Sequence, residues 1–196
     1  MAGKDCVAIA TDLRYGAGLR TVTQTFPKAF RQGKRCFVGF GGFATDIQTV
    51  HDEIKSRCNV YELKERREMG PQVLANMISS LLYEHRFGPY FVEPIVAGLE
   101  KGEKEGEWKP FLVNLDCFGA PCYSRDFSCV GTGSEGVMGV CESMWREGMD
   151  AKDLFETISQ CMLSALDRDA LSGWGAVVHV ITADSITTSE LKCRQD

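Results

Sequence analysis

Two stretches of the chain carry residue types that can do chemistry together. The first reads Lys4-Asp5-Cys6-Val7-Ala8-Ile9-Ala10-Thr11-Asp12-Leu13-Arg14, with Lys28 sixteen residues beyond Asp12. The second reads Asp167-Arg168-Asp169-Ala170-Leu171-Ser172-Gly173-Trp174-Gly175. A carboxylate beside an amine, and a second carboxylate beside a hydroxyl, look like the wall of a hydrolytic site without its nucleophile. Thr11 does not supply one, because it lies inside a strand-forming run. The plain alternative is structural. Asp12 and Lys28 then form only a buried ion pair, and Asp169 with Ser172 pins a turn that Gly173 keeps tight.

Other chemistry is poorly supported. His51, His85 and His179 share no metal-binding spacing, and His179 falls within an apolar run where a packed or hydrogen-bonded ring is expected. The nine cysteines show no C-x₂-C pair. Most stand in apolar segments, as in Cys36-Phe37-Val38 and Ser128-Cys129-Val130, so they are expected as buried, reduced thiols of a cytosolic or nuclear protein.

The elements that must position these residues alternate between two periods. Strands are predicted over 5–11, 35–40, 92–98, 111–116, 127–131, 175–182 and 186–191, each rich in Val, Ile or Phe and bounded by turn residues. Four helices are predicted between them. The first carries Ile47, Val50, Ile54, Cys58 and Tyr61 on one stripe, and the second opens at Pro71 and runs through Leu74, Ile78 and Leu82. The third carries Val137, Val140, Cys141, Met144 and Trp145, and the fourth is capped by Asp150. The order is strands, helix pair, strands, helix pair, strands, which argues against a doubly wound parallel sheet. It suits an α+β, four-layer αββα sandwich with two mostly antiparallel sheets face to face. The charged stretches 62–68 and 100–107 are expected as solvated loops, with Gly102 and Gly106 giving turn freedom.

The chain has 196 residues, a net charge of −5, 44% hydrophobic and 25% charged residues. One domain spanning 1–196 is the expectation. The acidic balance argues against nucleic acid and anionic membranes, and no apolar run approaches the roughly 20 residues that cross a bilayer. The first residues lack the apolar core of a secretory signal.

Four motifs and Lys28, in order, carry a resemblance. They are Val7-Ala8-Ile9-Ala10-Thr11-Asp12-x-Arg14 with Lys28, Gly39-Phe40-Gly41-Gly42-Phe43-Ala44-Thr45-Asp46, Gly131-Thr132-Gly133-Ser134, and Asp169-Ala170-Leu171-Ser172-Gly173. The chain resembles the beta-type subunits of the 20S proteasome, which have the N-terminal-nucleophile hydrolase fold. The resemblance covers essentially the whole chain. Tyr61–Glu65, Leu82–Tyr90 and Leu154–Gln160 are similar to a non-catalytic branch of that family.

The resemblance implies roles. Active members attack with the hydroxyl of an N-terminal Thr whose own amine acts as base. Lys28 and Asp12 match the lysine that tunes this hydroxyl and the aspartate that holds the lysine. Thr132, Asp169 and Ser172 match the outer frame, with Thr132 where active members have Ser. The family spacing puts the nucleophile before Met1, and Met1 and Ala2 are inert. The expectation is therefore a vestigial frame and no catalysis, the alternative being an active threonine protease whose Thr lies outside the chain. The resemblance also implies assembly with other alpha and beta subunits in stacked seven-membered rings, in cytoplasm and nucleus. It implies no required cofactor, although main-chain carbonyls of Leu166, Asp169 and Ser172 match a structural magnesium site in relatives.

Overall fold

The computed structural model describes residues 1–102 and 106–195. Strands β1 (Cys6–Asp12), β2 (Tyr15–Ala17), β3 (Arg20–Thr23), β4 (Ala29–Arg31) and β5 (Cys36–Gly42) precede helices α1 (Ala44–Glu65) and α2 (Pro71–Glu84). Strands β6 (Val92–Lys101), β7 (Trp108–Leu115) and β8 (Pro121–Ser124) lead to helices α3 (Ser134–Met144) and α4 (Ala151–Leu166). Strands β9 (Ala176–Thr182) and β10 (Ile186–Leu191) follow. All pairings are antiparallel, in sheets ordered β1-β9-β10 and β4-β5-β6-β7-β8, with β2-β3 as a separate hairpin.

Three apolar clusters stack these elements into four layers. Ile47, Val50 and Ile54 of α1 and Leu74 and Ile78 of α2 cover one face of the five-stranded sheet at Val38, Val96 and Val113. Val7 and Ile9 of β1 and Ile181 of β9 meet Phe37, Ile95, Ala97 and Leu112 between the two sheets. On the outer face of the three-stranded sheet, Ala8, Val178 and Val180 pack on Cys141, Leu154, Ile158 and Cys161 of α3 and α4. Since successive strand residues face opposite ways, Val7 and Ala8 must enter different clusters, and both faces of β1 are buried. This is the αββα sandwich anticipated from the order of the elements.

Local chemistry sets the boundaries. Pro71 stands in the first turn of α2, where its missing N–H costs nothing, and the Glu100 carboxylate accepts from the Gln72 N–H. Asp150 caps α4 by accepting from the N–H groups of Lys152 and Asp153. Where β5 meets α1, Gly42 holds φ at +115°, and a Cβ there would lie 2.2 Å from the Phe91 carbonyl oxygen. Asp46 fastens the same corner by accepting from the Phe91 N–H at 2.9 Å.

Several expectations are corrected. Residues 127–131 form no strand; Phe127 and Val130 are apolar because they plug separate clusters, while Asp126 holds the bend through the Phe127 N–H. The strand at that end of the sheet is β8, exposed and entered from a turn, so its burial signal is weak. The stretch 62–68 is not all loop, because α1 runs through Glu65. Strands β2, β3 and β4 were not anticipated; they are too short and polar to show a period. Trp145 lies past α3 with extended backbone, and its indole N–H donates to the Ala2 carbonyl. The stretch 100–107 is not all loop either, because β6 runs through Lys101; Gly106 has φ +83°, and residues 103–105 lie outside the described residues.

His51 stacks on Phe30 at 3.9 Å, and His179 stacks on Phe37 at 4.5 Å while its Nδ1 meets Thr188 Oγ1. Burial lowers both below the ordinary 6.5. The unfolded chain therefore binds protons that the folded chain refuses. This stabilisation is full above about pH 6.5 and is lost as pH falls through the folded values. The urea midpoint is expected to drop between pH 7.5 and pH 5.5, and His179→Gln to flatten that slope. An unchanged slope in the variant would show that His179 does not contribute.

Candidate functional site

Asp12 ends β1 with its side chain turned inward and 7% of its surface exposed. One oxygen takes the Lys28 ammonium, which arrives from the segment before β4. The other accepts from the N–H groups of Arg14 and Gly173, each at 3.2 Å. Gly173 reaches it because the turn before β9 is left-handed throughout, with φ +134°, +60° and +124° at Gly173, Trp174 and Gly175.

Arg14 is 6% exposed and fully engaged. Its Nε donates to Thr21 Oγ1 at 3.0 Å, Nη1 to the Leu171 carbonyl at 2.8 Å and Nη2 to the Gly18 carbonyl at 2.8 Å. A second node lies beyond Leu171. Asp169 Oδ2 accepts from the hydroxyls of Thr132 and Ser172, both at 2.6 Å, and Oδ1 accepts from the Leu171 N–H at 3.0 Å. Leu171 thus joins the nodes, giving its N–H to Asp169 and its carbonyl to Arg14. Burial would raise the Asp169 carboxyl, but the Ser172 and Thr132 hydroxyls, the Leu171 N–H and the Arg14 charge outweigh it and hold it below the ordinary value.

Asp12, Arg14, Lys28, Thr132 and Ser172 all line one cavity of about 890 Å³. Much of the remaining lining is apolar, from Ala10 of β1, Gly41 of β5 and Ile158 and Cys161 of α4. Cys129 and Cys141 also line it. A hydrogen bond with Cys129 and burial push the Cys141 thiol up to about 12, and the same bond lowers Cys129. Their neighbours are thiols rather than an imidazole base, so no activated cysteine pair of the protease kind forms here.

The structure brings Asp12 to Lys28, and Thr132 and Ser172 to Asp169, the groupings that the resemblance implied. It adds Arg14 and Leu171, whose roles the sequence reading did not assign. The sequence signal for Arg14 was its place two residues after Asp12. Leu171 acts through its backbone and gives no side-chain signal. Leu166 is buried in the last turn of α4. The side chains here do not suit a cation: Asp169 is occupied by three donors, Arg14 brings positive charge, and among the described residues no three acidic, imidazole or thiol side chains converge.

This four-layer αββα sandwich is the N-terminal-nucleophile hydrolase fold. The chain belongs to the proteasome subunit family, whose model, described as "Proteasome subunit", matches residues 1–181. It is similar to "Proteasome subunit beta type-3" of Dictyostelium discoideum, 50% identical over all 196 residues and 94% of that relative. The relatives of the same name in Drosophila melanogaster and Saccharomyces cerevisiae are 49% and 47% identical over the whole chain, covering 94% and 93% of their lengths.

Lys28→Met would leave the Asp12 carboxylate with two N–H donors and no counter-charge. It is expected to cost about 2–3 kcal/mol in urea unfolding, discounted from the fully buried case. Adding Asp12→Asn should recover part of that loss. A double variant that loses the sum of the two single losses would show that the pair is not coupled.

Proposed function

We propose that this chain is a non-catalytic, structural beta subunit of the proteasome core particle, corresponding to the beta type-3 relatives. Its work is assembly geometry in protein degradation: it closes a ring, encloses the proteolytic chamber and shapes a neighbouring active site. The observation that carries this reading is where the hydroxyls point. Thr132 and Ser172 both donate their hydroxyl protons to Asp169, so neither is the attacking hydroxyl that the Lys28–Asp12 pair would tune.

Membership of the family implies assembly with other proteasome subunits. The proposed arrangement is stacked seven-membered rings with alpha and beta neighbours, and no nucleic acid or membrane partner. Exposed apolar side chains support a life in contact: Phe87 is 99% exposed, and Leu63, Tyr83, Phe91 and Phe43 are all largely uncovered. Among the described residues no helix is long and apolar enough to cross a membrane. Nine free cysteines suit the reducing cytoplasm and nucleus. No cofactor is required in this reading; a magnesium ion at the Leu166, Asp169 and Ser172 carbonyls would only stiffen a turn.

Native mass analysis of the purified particle should show this subunit among several distinct ones. A covalent probe for N-terminal threonine should label neighbours and leave this subunit unlabelled. A particle of one repeated mass would overturn the hetero-oligomeric reading, and labelling here would establish the active threonine protease instead.

A further inference from the structure

The cavity is lined by thiols that the carboxylate brace does not use. Cys129 lies in the irregular stretch between β8 and α3, Cys141 on α3 and Cys161 on α4. All three meet in the apolar cluster on the outer face of the three-stranded sheet. Cys141 and Cys161 are buried there, while Cys129 is half-buried. They stand in a row of hydrogen bonds. Cys161 gives to Cys141, and Cys141 gives to Cys129. The row does not close around a point, and among the described residues no three such side chains form a metal site.

Place in the row sets reactivity, because a thiol attacks as its thiolate. Burial pushes the Cys6 and Cys58 thiols up to about 11, and Cys36 higher still. Cys129 moves the other way. The bond from Cys141 favours its ionised form and outweighs burial. Cys129 is also the member of the row with surface open to the cavity. Residues 127–131 belong to no ladder, and Gly131 follows with φ +95°, so this sulfur can approach a neighbour fixed on a helix. An accessible, readily ionised sulfur beside a second thiol is the arrangement that reversible peroxide oxidation needs.

We propose that Cys129 is a peroxide-reactive site and that Cys141 is its resolving partner. Cys129 Sγ attacks one oxygen of hydrogen peroxide. The O–O bond breaks, water leaves, and Cys129 becomes a sulfenic acid. Cys141 Sγ then attacks Cys129 Sγ. The S–O bond breaks as the S–S bond forms, and the Cys141 proton leaves with the hydroxyl as a second water. In all, two thiols give two electrons and two protons to one peroxide. Cys161 donates to Cys141 as that proton departs. In a reducing compartment the bond is transient and is reversed by thiol exchange. It would tie α3 to the segment that carries Thr132 to Asp169.

Trypsin cuts after Arg125, Arg146, Lys152 and Arg168. Cys129 and Cys141 therefore fall in one peptide, 126–146, and Cys161 in another, 153–168. The native protein is treated with hydrogen peroxide, alkylated, and digested without reductant. Peptide 126–146 is expected to appear unalkylated and two hydrogens lighter, to rise with peroxide dose, and to revert with dithiothreitol. Cys141→Ala is expected to lose the internal bond and leave Cys129 as a sulfenic acid that dimedone traps. The unaltered protein gives its reading whether or not this variant folds. These measurements follow the thiols of this chain alone, so they stand apart from the ring and probe measurements. A 126–146 peptide that stays fully alkylated while added free cysteine is oxidised overturns the proposal. So does a cross-link between 126–146 and 153–168 in place of the internal bond, or irreversible oxidation of Cys129 without it.

Discussion

One carboxylate ties together three parts of the chain that lie far apart in sequence. Asp12 takes Lys28 from the segment before the five-stranded sheet and the Gly173 N–H from the turn that launches β9. Both sheets therefore report to the same two oxygens. A carboxylate this buried is tolerable only because each oxygen has a donor and one donor is charged. Once Asp12 is fixed, Arg14 is fixed two residues on. Its guanidinium then gathers Thr21, Gly18 and Leu171 into one frame.

The layers follow from a second constraint: β1 is buried on both faces. Its residues divide alternately between a core shared by the two sheets and a core shared with α3 and α4. A strand placed this way cannot tolerate a shift of one residue, because the shift would exchange its two faces. The small residues at Ala8 and Ala10 and the branched ones at Val7 and Ile9 fit those unequal spaces.

Much of this was legible beforehand where a long pattern carried it. The stripe of α1, the Pro71 start of α2, the Asp150 cap and the paired helices could all be read as periods or caps, and the sandwich follows from their order. Legibility ended where position depends on distant neighbours. Residues 127–131 look like a strand because Phe127 and Val130 are apolar, but each fills a different core and neither belongs to a ladder. Strands β2, β3 and β4 are three or four residues long, below the length at which alternation can be seen. The polar cluster was legible as residue types, while its wiring through Arg14 was not.

Leu171 shows how such wiring escapes side-chain comparison. Leu171 is 39% exposed, yet its peptide groups connect Asp169 to Arg14. What matters at position 171 is the direction of the backbone, and that direction is written by Asp169, Ser172 and Gly173 on either side. Two relatives can therefore differ freely in the letter at this position and keep the same connection. A single altered glycine nearby can break it while every polar residue of the cluster remains in place.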